Sequence, residues 1–150
     1  ANFDALFTRE VQLFHTLYGF YFESAEPLIL PDLRPNMLGG PPIPSELTVT
    51  PTHYNADQGC LHVTFENIAD PVEARNSILE SLQEQARQMG VPGPDDDDLP
   101  GEMELVDNIR FEMDIEGGWP TAIYLERVTN FGPQGRIETA EVVLVEEDTE

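Results

Sequence analysis

The sequence contains no lysine, and one cysteine, Cys60, in 150 residues. One cysteine cannot close an internal disulfide, which argues against a secreted, disulfide-built scaffold and for a virion or cytoplasmic setting. No apolar run approaches the roughly 20 residues of a membrane-spanning helix. The first residues lack a basic region followed by an apolar one, so a classical secretory signal is not expected. Gly-x-Gly-x-x-Gly, P-loop and Gly-x-Ser-x-Gly patterns are missing. Basic patches are missing too. The seven basic residues are all arginine and face 29 acids, for a net charge of −22. Such a surface repels nucleic acid and anionic membranes, so neither is expected as a direct partner. Its acidity has three competing explanations: a high-salt habitat, a surface that meets a basic partner or copies DNA, and plain solubility. Lysine depletion favours the first and third, and a halophilic origin leads.

What is present is best specified between Asp70 and Gly90. Asp70 is placed to cap a helix, Pro71 suits its first position, and Glu73 would complete a capping box. Ile78, Leu79, Leu82, Ala86 and Met89 recur at helical spacing and predict one apolar stripe. Gly90 supplies a left-handed stop and Pro92 prevents continuation. A second helix is predicted over 2–18, capped by Asn2, with Phe3, Leu6, Phe7, Phe14, Leu17 and Tyr18 on one side. His15 lies within it as a packed or surface histidine. The aromatic continuation Phe20, Tyr21 and Phe22 either packs on a sheet or meets a neighbouring subunit.

Seven of the 13 prolines fall between Pro27 and Pro51. They predict an extended, irregular arm over 27–51. Leu28, Ile29, Leu30, Leu33, Met37 and Leu38 make it too apolar for a free linker, so it should lie on a surface of this chain or of a neighbour.

Strands are expected at Leu47–Tyr54 and Cys60–Ile68, joined through Asn55–Gly59 as a hairpin. Three more follow: one in which Ile109, Phe111, Met113 and Ile115 alternate with charged residues, then Thr121–Thr129, then Arg136–Glu146. Residues 92–101 form an acidic loop containing Asp95, Asp96, Asp97 and Asp98, and 146–150 an acidic tail. The chain thus reads as a single α+β domain over 1–150. Two helices should pack on one face of a mainly antiparallel sheet of about five strands, in the order α-β-β-α-β-β-β, with the proline-rich arm extended alongside. Charge is lopsided: residues 1–69 carry eight acids and two arginines (−6), residues 70–150 carry 21 acids and five arginines (−16).

Candidates for chemistry are few. His53, Asp57, Cys60 and His62 gather at the hairpin, and Cys60 and His62 share a strand face, but the spacing fits no zinc pattern. The four aspartates are consecutive, without the alternate-ligand pattern and glycine turn of a calcium loop, and suit only loose cation binding. No cofactor and no catalytic residue is predicted, and the chain reads as a non-enzyme.

This element order resembles that of the tail-terminator and tail-completion proteins of tailed viruses, which place a small α+β domain in a ring around the tail tube. The resemblance implies a structural subunit of a head–tail connector, tail or capsid, here of a virus with a halophilic host. It implies a homo-oligomer with neighbouring subunits, and assigns no residue a role. The alternative is an acidic binding module, a DNA mimic or dedicated chaperone. Its support is the row Glu112, Asp114 and Glu116, whose alternate carboxylates on a strand stand ~7 Å apart, close to phosphate spacing.

Overall fold

A computed structural model describes residues 15–16, 25–36, 39–101 and 103–144. The predicted helix over 2–18 falls outside them except at His15 and Thr16. Six strands form one sheet: β1 (Leu28–Arg34), β2 (Ile43–Asn55), β3 (Cys60–Ala69), β4 (Met103–Asp114), β5 (Pro120–Phe131) and β6 (Gln134–Val143). They lie side by side in chain order, and every neighbouring pair is antiparallel. One helix, α1 (Pro71–Met89), joins β3 to β4. The α+β class therefore holds, with six strands in place of about five and one helix among the described residues.

The caps of α1 form from the residues that local chemistry marks for them. Asp70 Oδ1 accepts from the Val72 and Glu73 N–H groups at 2.9 Å each. Gly90 takes the left-handed conformation, with φ of 69°, and ends the helix. The capping box is not closed by Glu73, because the Asp70 N–H donates instead to the Pro44 carbonyl at 2.9 Å. That bond ties the helix entrance to β2.

The buried stripe of α1 is more polar than predicted. Ala74, Ser77, Ile78, Ser81 and Ala86 are buried, whereas Met89 is 69% exposed and plays no part. The serines have work on the buried side. Asn36 Nδ2 donates to both Ser77 Oγ and Ser81 Oγ at 2.9 Å. Ser81 Oγ donates to the Gly39 carbonyl at 2.6 Å, and Ser77 Oγ lies 3.2 Å from the Pro41 carbonyl. The loop between β1 and β2 is thereby fastened to the helix.

The expected irregular arm over 27–51 is mostly sheet, which corrects the sequence reading. The prolines sit where a sheet tolerates a missing donor. Because Pro44 O accepts from Asp70 N, the even-numbered main-chain groups of β2 up to the register shift at Pro51 face β3 and the odd-numbered ones face β1. Ser45 pairs with Asp32, so the even groups of β1 face β2. The odd groups, with Pro31 among them, face the open edge. Pro51 lies at a register shift in β2, and Pro27 and Pro35 flank β1.

One face of the sheet carries the core in two clusters. Ile43, Ala69 and Met103 pack against Ala74 and Ile78 of α1, with Leu82, Leu105 and Phe131 at the margin. Farther along the same strands, Val49, Val63, Phe65, Phe111 and Ile123 form the second cluster, with the Phe65 and Phe111 rings edge to face at 5.3 Å. The other face is wet and carries exposed Glu46, Glu66, Glu104 and Glu126. Among the described residues no helix is long and apolar enough to cross a membrane.

Candidate interaction surfaces

The described part of the predicted interface lies on the edge strand β1. Phe20, Tyr21, Phe22, Met37 and Leu38 fall outside the described residues. Strand alternation directs Leu28 and Leu30 toward the core face, where they stand opposite Val49 and Leu47. Ile29 and Leu33 point to the other face and are 60% and 61% exposed. The strand that carries them is held by pairing with β2, by the Asn36–Ser77–Ser81 clamp, by Asp32 and by Arg34.

Arg34 belongs to a buried charge cluster that the sequence does not announce. Its NH2 lies 3.0 Å from Asp107 Oδ2, and its NH1 donates to the Leu105 carbonyl at 2.9 Å. Arg127 grips the same carboxylate with Nε at 2.6 Å and NH2 at 2.7 Å, a bidentate pair. Nearby, Asn67 Nδ2 donates to Asp32 Oδ2 at 2.6 Å. Burial pushes the Arg34 guanidinium below the ordinary arginine range, against the opposing pull of Asp107. The hydrogen bonds that Arg127 donates to Asp107 hold its guanidinium above that range. These groups sit between the two apolar clusters and lock β1, β4 and β5 together. They are neutralised and enclosed, an arrangement suited to fixing register.

The hairpin candidates come only partly together. The rings of His53 and His62 meet edge to face at 5.3 Å on the wet face of the β2–β3 hairpin. Cys60 is a half-buried free thiol, and Asp57 stands in the turn, where its N–H donates to Asn55 Oδ1 at 3.1 Å. Among the described residues no group of three or more His, Cys, Asp or Glu is arranged to hold a metal ion.

The acidic loop is more ordered than four like charges in a row suggest. Asp96–Asp98 form a single 3-10 turn. Asp98 Oδ2 accepts from the Asp95 N–H at 2.8 Å. Arg75 of α1 organises the turn from outside: Nε donates to the Pro100 carbonyl and NH1 to Asp96 Oδ1, both at 2.7 Å. The carboxylates thus serve a turn and an arginine, and Asp95, Asp96, Asp97 and Asp98 all remain exposed.

The carboxylate row proposed for DNA mimicry is shorter than expected. β4 ends at Asp114, and Glu116 stands in the following turn. Asp114 Oδ2 is occupied by the Gly117 N–H at 2.6 Å. His15 lies near this end of the sheet, its ring 6.2 Å from that of Trp119.

A shallow cleft of about 630 Å³ opens beside the start of α1, lined by Ile68, Pro71, Pro100, Met103, Glu104 and Asn130 among others. Among the described residues Glu104 is the one acid in its lining, and it accepts a hydrogen bond from Asn130 Nδ2. Among the described residues no serine, threonine, cysteine, lysine or histidine lines the cleft. Searches of known protein families, curated proteins and solved structures found no match to this chain.

Proposed function

We propose that the chain is a non-enzymatic structural subunit of a larger assembly, of the kind that builds a head–tail connector, tail terminator or other tail or capsid part in a tailed virus of a halophilic host. The observation that carries this reading is the rigidly held edge strand β1, which presents Ile29 and Leu33 to solvent. Exposed apolar side chains on a firmly fixed strand suit a permanent neighbour better than open water. The acidic, lysine-free surface suits a protein that assembles at high salt, where the Debye length falls to about 3 Å at 1 M.

The experiment is substitution of both side chains, Ile29→Ser with Leu33→Ser. Both point away from the core, so thermal stability is expected to move by no more than about 0.5 kcal/mol per site. The oligomer measured by light scattering at molar salt is expected to dissociate or to need at least about tenfold more protein. An unchanged oligomer overturns the assignment of this face.

A second reading, an acidic binding module for a basic partner, is favoured by the exposed Glu46, Glu66, Glu104 and Glu126 on β2 to β5. It predicts competition with duplex DNA for a basic protein, lost when these residues become glutamine and unaffected by Ile29→Ser.

A further inference from the structure

Among the described residues the sheet has two unpaired edges, at β1 and β6, and they differ. On β1 the outward main-chain groups belong to Ile29, Pro31 and Leu33, so the middle donor is missing and the edge is blunted. β6 has no such protection. It is joined to β5 by the two-residue turn Gly132–Pro133, with Gly132 at φ of 58° and Phe131 paired to Gln134. The Leu144 N–H donates to the Thr121 carbonyl at 2.9 Å. Even-numbered groups of β6 therefore face β5, and the N–H and C=O groups of Gly135, Ile137, Thr139, Glu141 and Val143 face outward. None of these residues is proline. Among the described residues no strand pairs with this edge, and Ile137 is 66% exposed.

The side chains of β6 complement a second β6. Arg136 NH2 lies 2.6 Å from Glu138 Oε1 of the same strand, on the face that bears the core. In an antiparallel pair about a two-fold axis through Ile137, each Arg136 stands opposite the other copy's Glu138. The four charges form an alternating square, and Ile137 meets its own copy on the opposite face. Moving the axis by one residue, to Arg136 or Glu138, sets like charges directly against each other, which is destabilising. With the axis at Ile137, the outward groups of Ile137, Gly135 and Thr139 are also in hydrogen-bonding register.

We propose that β6 is a self-association edge, and that two copies of this chain join through antiparallel β6–β6 pairing centred on Ile137 into one continuous twelve-stranded sheet. The proposal rests on the reading of the chain as an assembly subunit and names its partner as a second copy. With −22 on each chain, long-range repulsion opposes the contact, so pairing strengthens as salt shortens the Debye length.

The test uses the full chain at molar salt, with mass measured by sedimentation equilibrium. Thr139→Pro removes an outward donor and leaves the β5 ladder intact. It is expected to give a folded protein that no longer forms the β6 contact. Arg136→Glu and Glu138→Arg are each expected to weaken that contact by about tenfold, and the double exchange to restore it to within about threefold. Arg136→Glu, which leaves Glu138 opposite Arg127, decides the matter even if Thr139→Pro or Glu138→Arg does not fold. A species of twice the 16.8 kDa chain mass that responds in this way supports the proposal. An oligomer indifferent to all three changes at β6 overturns it and leaves the assembly reading standing. A monomer at every salt concentration overturns both.

Discussion

Replacing Asp107 with alanine is expected to cost the fold about 3–5 kcal/mol, the usual result of removing one partner from a buried ion pair. The carboxylate is shared by Arg34 and Arg127, whose side chains are 10% and 24% exposed. Without it, two guanidinium groups face each other in a site with little water, and among the described residues only the longer-range charges of Asp32 on Arg34 and Glu138 on Arg127 oppose them. Arg34→Met is expected to cost less, about 1–3 kcal/mol, because Asp107 keeps its bidentate partner Arg127 while Arg34's bond to the Leu105 carbonyl is lost. The double variant should cost less than the two single losses together, since the residues act as one unit. Denaturant midpoints at molar salt measure all three. A loss below about 1 kcal/mol for Asp107→Ala would show that the cluster does not hold β1 to the sheet.

The second large effect is expected at Phe111. It is fully enclosed, at 0% exposure, on the part of the core face beyond α1. Its ring meets Phe65 edge to face and packs in one cluster with Val49, Val63 and Ile123. Phe111→Ala should cost about 3–5 kcal/mol, combining lost transfer energy with the cavity left behind. Met89→Ala is the contrast: Met89 belongs to the apolar pattern of α1 by spacing but is 69% exposed, and its truncation should stay within about 0.5 kcal/mol. Urea unfolding separates the two, with the slope unchanged if both variants unfold from the same compact state. Equal losses at the two positions would contradict the placement of the core.

Met89 shows where sequence reasoning stopped. Spacing alone cannot tell which face of a helix meets a sheet. Here the stripe is shifted so that Ser77 and Ser81 are inside. Their partners, Asn36 and the carbonyls of Gly39 and Pro41, lie some forty residues away in the chain, and no local pattern reveals them. The helix ends were legible because capping is local chemistry: Asp70, Pro71 and Gly90 act on groups a few residues away. β3 and the middle of β4 were legible from alternation, since one face is buried and the other wet.

β1 and the start of β2 were not legible, because proline reads as a strand breaker unless one knows which way its nitrogen points. That direction follows from register with neighbours, as the bond from Asp70 to Pro44 shows. The Arg34–Asp107–Arg127 cluster was missed for the same reason: its members come from β1, β4 and β5. Of the proposed interface, Ile29 and Leu33 were identifiable as apolar residues in an exposed, proline-rich stretch. β6 gave no signal as an edge, since its value for association lies in unpaired main-chain groups, which every sequence has.

The measurement that bears most directly on the account is the mass of the unmodified chain in solution, by light scattering, at low and at molar salt. Self-association is expected at molar salt, with species larger than one 16.8 kDa chain that fall apart as salt is withdrawn and charge repulsion returns. A folded monomer of unchanged mass at both salt concentrations would contradict it, and would move the acidic binding module to first place.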